Sequence, residues 1–296
     1  MGGWGTYKLG LAHPDLFSKA VVLEGPVICG LRAAPGFPGA AGPGRCSTDG
    51  DSVPIIESAR NLPYLISQGA ADELVPVAGV LPNIQRFDLL GYRYRFELYP
   101  AADHLAYPVL DAFSDQAAHL SDAPRTRSPA QVTYQWYPNL DRPDLGIGST
   151  GAYWVRDTHG RDVPAGSLAR IDAVSEALSR PAITPVHSYN ALVPGDPFPA
   201  VVQEQTWTLG AAPARRPAIA MSLTNVGSLG VDLVRAGFPT GSHGSIGVNT
   251  DGRATLQLIG VRAGFVVRLD GAVIGRVPAS GRFSVTFPAG RHVIAL

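Results

Sequence analysis

A histidine and a carboxylate each follow a hydrophobic run, at positions where they could form an acid–base pair. Asp72 lies in the segment Gly69-Ala-Ala-Asp-Glu-Leu-Val-Pro76, just after the apolar run 62–67, and His104 comes just after the next run, 94–99. If both runs are neighbouring parallel strands, the loops that follow them meet at one edge of the sheet. A carboxylate there can fix the tautomer of an imidazole that acts as a general base. Glu73 and Asp103 remain alternative acids, and a surface role remains an alternative for His104.

The first 120 residues show the alternation of helix and strand that such an edge requires. Trp4, Tyr7 and Leu11 share one face of a predicted helix, and residues 19–24 form a short apolar run typical of a buried strand. Residues 77–91 predict a second helix between the runs at 62–67 and 94–99. Strands that alternate with helices favour an α/β fold with a parallel sheet.

The opening residues Met1-Gly2-Gly3-Trp4-Gly5 resemble the segment that follows the nucleophile in α/β-hydrolases, where the motif is Gly-x-Ser-x-Gly. On that pattern Met1 is the residue after the serine, its nitrogen is an oxyanion donor, and Gly2 is the last glycine of the motif. The resemblance covers about residues 1–115 and is strongest to prolyl-oligopeptidase-like peptidases and secreted esterases. It implies that Asp72 and His104 are the acid and the base of a catalytic triad, with the serine just before Met1.

The resemblance implies a serine hydrolase that cleaves an ester or peptide substrate through an acyl-enzyme, without a cofactor. No complete nucleophile motif occurs in the sequence: Gly lies two residues after, but never also two residues before, Ser67, Ser149, Ser228, Ser242 and Ser245. We therefore expect a chain that is truncated just after its nucleophile and is inactive as given. The alternative is a non-catalytic binding or structural protein that retains half a hydrolase fold.

Composition limits the other classes of function. The 24 basic and 24 acidic residues balance, which argues against a nucleic-acid partner, and no apolar stretch is long enough to span a membrane. No Cys and His spacing predicts a metal site. Cys29 and Cys46 are either a disulfide or two free thiols; a disulfide would fit a parent protein that is secreted, although this chain shows no signal peptide. The remaining histidines, which include His13 and His119, are interpreted as structural or incidental.

The sequence divides into a catalytic part at 1–120, a polar linker at 121–130 and a β-rich accessory domain at 131–296. Short alternating runs separated by turn signals predict a β-sandwich for the last part, with one helix-like stretch at 169–178. Trp136, Tyr137 and Trp154 are candidates for contact with a polymer or carbohydrate, and the alternative is that they belong to the core of the domain.

Overall fold

The computed structural model describes residues 2–27, 48–121, 123–239 and 241–296. The chain forms two compact units, and it passes between them more than once. The first unit contains Met1–Arg125 and Ile183–Leu209, and the second contains Thr126–Ala182 and Gly210–Leu296. The predicted linker at 121–130 includes the first crossing, whereas residues 183–209 return to the first unit.

The described residues form four α-helices, six 3-10 helices and seventeen strands. The α-helices are α1 (Gly2–Ala12), α2 (Leu81–Leu90), α3 (Ala106–Leu110) and α4 (Ser114–Leu120). The 3-10 helices are Thr48–Gly50, Val53–Asn61, Val77–Gly79, Pro138–Leu140, Pro143–Leu145 and Glu176–Leu178. The strands are β1 (Ala20–Leu23), β2 (Tyr64–Gly69), β3 (Tyr94–Tyr99), β4 (Gln131–Trp136), β5 (Gly151–Ala152), β6 (Val155–Gly160), β7 (Ala169–Ser175), β8 (Ile183–Val193), β9 (Ala200–Leu209), β10 (Ala218–Thr224), β11 (Val226–Asp232), β12 (Ser245–Thr250), β13 (Ala254–Ile259), β14 (Val266–Leu269), β15 (Ala272–Arg276), β16 (Arg282–Phe287) and β17 (Gly290–Ala295).

The first unit is built on one five-stranded sheet in the order β1-β2-β3-β9-β8. The pairs β1–β2 and β2–β3 are parallel, whereas β9 pairs antiparallel with β3 and β8 pairs antiparallel with β9. All six residues of β2 are buried, as expected of a central strand that is covered on both faces. The parallel strands end on the same edge of this sheet, which places the residues that directly follow β1, β2 and β3 side by side.

The predicted fold class, a parallel α/β-hydrolase sheet followed by a β-sandwich, is wrong. The structure is β-rich, with 39% of its residues in strands and 21% in helices, and all three sheets are mixed. The hairpin β8–β9 makes the first sheet mixed because it pairs with β3 from far along the chain. Side-chain bonds hold it there: the amide of Gln205 donates to the carbonyls of Phe87 and Tyr92, and the indole of Trp207 donates to the carbonyl of Gly91.

The second unit contains a seven-stranded sheet, β15-β14-β17-β12-β10-β7-β4, and a five-stranded sheet, β16-β13-β11-β6-β5. Each includes one parallel pair, β10–β12 in the first and β11–β13 in the second. The predicted helix-like stretch at 169–178 is also wrong. Its residues form β7, in which buried and half-buried positions alternate as they do in a strand, followed by a short 3-10 helix.

Side chains of both sheets form the core of the second unit, and the aromatic residues proposed for polymer contact belong to that core. Trp136, Tyr137 and Trp154 are 2%, 7% and 0% exposed. The indole nitrogen of Trp154 also donates a hydrogen bond to the carbonyl of Pro129. These rings therefore stabilise the fold and are not available to an external ligand. Among the helices described here, none has the length and apolar character needed to cross a bilayer.

Candidate functional site

The loop after β2 holds the carboxylate of Asp72 in a fixed orientation. Its Oδ1 atom accepts hydrogen bonds from the backbone nitrogens of Leu74 and Val75 at 2.9 and 2.7 Å. Its Oδ2 atom accepts a third from Nε2 of Gln68 at 3.1 Å. The Asp72 side chain is fully buried. An aspartate that accepts bonds from the backbone just after itself forms a local turn, so the sequence of this loop directs its own side chain.

Backbone hydrogen bonds join this loop to the loop after β3. The nitrogens of Ala70 and Ala71 donate to the carbonyls of Tyr99 and Ala102 at 2.9 and 3.0 Å. Gly69 makes this close approach possible, because a Cβ atom there would lie 2.5 Å from the carbonyl oxygen of Ala102. The two loops therefore behave as one support for the side chains that they carry.

His104 and Asp72 form the pair predicted from the sequence. Nδ1 of His104 lies 2.9 Å from Oδ2 of Asp72, and the imidazole is 24% exposed. Because an ionised carboxylate can only accept, the pair favours the tautomer that has its proton on Nδ1. Nε2 has no hydrogen-bond partner among the described residues. The predicted geometry is thus confirmed, and the catalytic role of the pair stays a prediction.

The alternative acid Asp103 has a different partner in the structure. Its Oδ1 atom accepts a hydrogen bond from the backbone nitrogen of Leu105 at 2.9 Å, within its own loop. In the described part of the chain, the ion pairs of His104 are with Asp72 and with Glu24. Asp72 is the nearer of the two and is therefore the acid of the pair.

Glu24, directly after β1, is a third member of the site that the sequence interpretation did not single out. Its Oε2 atom lies 3.4 Å from Nδ1 of His104, and its buried Oε1 atom has no hydrogen-bond partner in the part of the chain that the structure describes. The backbone of Glu24 is left-handed, with φ of 48°, which is uncommon for a residue with a side chain. Burial, together with the negative charges of Asp72, Asp103 and Glu73, raises the pKa of this carboxyl to about 8.

A cavity of about 430 Å³ lies beside these side chains within the first unit. Residues at the start of α1, the end of β1 and the loop after β3 line it, among them Gly2, Gly3, Glu24 and His104. The start of α1 approaches the end of β1 closely, because a Cβ atom on Gly3 would lie 2.3 Å from the carbonyl oxygen of Leu23. Of the two predicted remnants of a nucleophile motif, Gly2 lines the cavity and Met1 lies outside the described residues.

The same three side chains could serve as ligands of a cation. One atom from each of Glu24, Asp72 and His104 lies within 4.8 Å of the others, and the described residues contain no second group of this kind. The spacing of residues in the sequence does not reveal this group, because its members follow three different strands. Both carboxylates are buried, and Glu24 and His104 line the cavity.

Of the serines considered in the sequence, Ser67 belongs to the same unit as His104 and has other partners. The hydroxyl of Ser67 donates to the carboxylate of Glu97, within the sheet. Ser228 lies 3.2 Å from Nδ1 of His159 in the second unit, but that same nitrogen is also 3.1 Å from the carbonyl of Asp157, and the pair is exposed. Cys29 and Cys46, the candidates for a disulfide, lie outside the described residues.

Comparisons with protein-family models, with curated proteins and with solved structures gave no match. The resemblance to α/β-hydrolases is therefore wrong as a statement of family. Most of the regular structure consists of strands in three mixed sheets, and no family, relative or structural neighbour supports the assignment. What remains is a local site, the arrangement of Asp72, His104 and Glu24 around a cavity, and its function has to be argued from its own geometry.

Proposed function

We propose that the first unit holds the acid and the base of a hydrolytic site that acts on an ester or amide through an acyl-enzyme. The observation that supports this is the contact of 2.9 Å between Oδ2 of Asp72 and Nδ1 of His104. The ring lines the cavity, and its Nε2 atom has no partner among the described residues. A base must offer one free nitrogen to the reacting hydroxyl, and a second group must fix its orientation.

Each residue of the pair has a separate task in this proposal. Nε2 of His104 takes the proton of the attacking hydroxyl and later returns it to the leaving group, so that the imidazole is cationic only between the two steps. Asp72 stays ionised, keeps the proton of the neutral imidazole on Nδ1 and stabilises the imidazolium. In serine proteases the loss of the orienting carboxyl function costs about 10⁴ in kcat, which sets the scale for Asp72.

The described residues that line the cavity include no serine or cysteine. Their one aliphatic hydroxyl, on Thr6, donates within α1 to the carbonyl of Gly2 at 3.2 Å. We therefore expect the chain as given to be silent towards p-nitrophenyl esters and to form no adduct with a fluorophosphonate probe. Stoichiometric labelling of any serine would contradict this. Silence alone would also fit a non-catalytic binding protein, so a positive test is needed.

A serine placed at the cavity provides that test. The Cβ position of Gly2 is open, with no atom within 4 Å, and this residue lines the same cavity as His104. The substitution G2S offers the base a hydroxyl. We expect fluorophosphonate labelling at least about 10² times faster than in G2S combined with H104A, the lower bound for general base catalysis.

Two matched variants control the experiment. Gly5 belongs to the same helix and is equally open, but it does not line this cavity, so G5S is expected to remain unlabelled. Adding H104A to G2S is expected to abolish the gain in labelling. Equal labelling of G2S and G5S, or labelling that persists without His104, would count against an acid–base role for the pair.

A further inference from the structure

The group formed by Glu24, Asp72 and His104 brings two buried carboxyl groups together with one imidazole. Glu24 and Asp72 are 7% and 5% exposed, and the negative charges of Asp103 and Glu73 also act on Glu24. In the described ranges, the only ion-pair partner of the two buried carboxylates is His104, and no lysine or arginine reaches them. Buried carboxylates are normally paired with a cation or bound to a metal.

Glu24 has a backbone conformation that a purely structural residue does not require. A left-handed backbone at a residue with a side chain costs free energy, and such residues concentrate at functional sites. Here that backbone directs a buried carboxylate towards the cavity and leaves Oε1 without a hydrogen bond. A buried, unpartnered acceptor calls for a ligand that it can bind.

We propose that Glu24, Asp72 and His104 bind a zinc ion, with the cavity side of the metal open to a water molecule or another ligand. A set of one imidazole and two carboxylates suits zinc, whereas calcium and magnesium prefer oxygen ligands alone. Bonds of about 2.0–2.1 Å in a tetrahedron place neighbouring ligand atoms about 3.4 Å apart. Nδ1 of His104 and Oε2 of Glu24 are already separated by 3.4 Å, whereas the contact of 2.9 Å with Asp72 has to widen.

Zinc on Nδ1 changes what the imidazole can do. The metal occupies the nitrogen that bears the proton in the metal-free pair, so the proton of the neutral ring moves through solvent to Nε2. Nε2 is then a donor and can no longer accept a proton from a hydroxyl. Zinc is therefore an inhibitor of the acid–base function, a consequence that rests on the proposed function, whereas the binding of zinc itself does not.

Binding can be tested with the full chain and zinc chloride by isothermal titration calorimetry, and with Co²⁺ by visible absorption, which reports ligand geometry. We expect one ion per chain, and at least about 10-fold weaker binding in E24Q, since even partners outside the ligand set contribute 10–100-fold to metal affinity. E73Q is the matched control, because Glu73 is a neighbouring acid that is not a ligand, and it should bind zinc as the unaltered chain does.

Binding of zinc at an exposed site is tested by a separate control. His292 and Asp270 form an exposed pair in the second unit and could also hold zinc, so D270N is measured in parallel. Zinc affinity that is unaffected by E24Q, or that is lost in D270N instead, would overturn the assignment. Absence of binding to the unaltered chain would overturn it as well.

The ¹⁵N spectrum of the His104 imidazole separates this inference from the proposed function. In the presence of a chelator the proposed function requires the proton on Nδ1, and with zinc the inference requires it on Nε2. A metal-free spectrum with the proton on Nε2, combined with zinc binding that depends on Glu24, would sink the acid–base proposal and leave the zinc site standing. A proton that stays on Nδ1 in the presence of zinc would overturn the zinc site and leave the acid–base proposal standing.

Discussion

Each unit of the protein contains a histidine whose Nδ1 atom lies against an aspartate, and the two pairs have almost the same contact distance. In the first unit Asp72 and His104 are 2.9 Å apart, and in the second Asp270 and His292 are 2.8 Å apart. The surroundings differ in every other respect. The side chain of Asp72 is fully buried, whereas that of Asp270 is 48% exposed.

The second nitrogen of each ring shows what the difference means. Nε2 of His292 lies 3.2 Å from the carbonyl of Pro288, and the ring stacks on Phe287, so both nitrogens and one face are engaged in holding a turn. Nε2 of His104 has no such partner in the described residues, and its ring lines a cavity. An acid–histidine contact is therefore not a site by itself. A free nitrogen, a buried acid and an open space beside them distinguish the first pair from the second.

The largest difference that we expect between the two pairs is in stability. D72A removes the acceptor of Leu74, Val75, Gln68 and His104 in a buried place and should cost the first unit about 3–5 kcal/mol. D270A removes an exposed partner, so the second unit should lose much less stability. Urea unfolding, followed by NMR signals assigned to each unit, measures the two separately. Equal losses would mean that burial does not distinguish the pairs.

The two loops that carry the first pair can be disturbed by a substitution that leaves Asp72 and His104 unchanged. In G69A the new methyl group would lie 2.5 Å from the carbonyl of Ala102 and push apart the two loops that carry Asp72 and His104. We expect a loss of about 1–3 kcal/mol, the usual cost of overpacking, together with a longer contact between the pair. G5A, on an open helical position, should instead be neutral or stabilise by up to about 1 kcal/mol. Thermal unfolding of both variants decides the matter, and a harmless G69A would show that the loops are not coupled.

A smaller effect on stability is expected from His119, which belongs to neither acid–histidine pair. Burial, with the positive charge of Lys19 as a second cause, lowers the pKa of His119 in the first unit to about 4. The unfolded chain, with a pKa near 6.5, then binds a proton before the folded chain does, so stability falls as the pH drops from about 6.5 to about 4 and levels off below. Since His119 is partly exposed, the loss is about 1–2 kcal/mol. H119Q should remove this part of the acid sensitivity, and an unchanged slope of stability against pH would contradict the assignment.

The sequence predicted the local elements of the first unit and the pair at its edge. The apolar runs at 19–24 and 94–99 contain the strands β1 and β3, and the helix through Trp4, Tyr7 and Leu11 exists as expected. Asp72 and His104 meet because both follow parallel strands, an arrangement that loop spacing can reveal. This geometry is common to many sheets, which is why the likeness of a few motifs was accurate for the pair and wrong for the family.

Long-range pairing could not be predicted in the same way. The strand β8 has exposed side chains along almost its whole length, so it lacks the alternation that identifies a strand. Its partner β9 pairs with residues of β3 that lie more than 100 positions earlier in the sequence. Glu24 was missed for a different reason. A glutamate at the end of an apolar run predicts an exposed loop, and only its left-handed backbone directs the side chain inwards.

The discontinuous first unit has a consequence for how the protein is made. Residues up to Arg125 leave the ribosome well before Leu209. The edge of β3 that pairs with β9 therefore stays unpaired until β9 has been synthesised. At about 5–20 residues per second that interval lasts several seconds, longer than most elementary folding events. During it the nascent chain exposes a strand edge that can associate with neighbouring chains. Synthesis that slows between these two points, or a holdase that covers the edge, would therefore determine how much of the newly made protein reaches its native state.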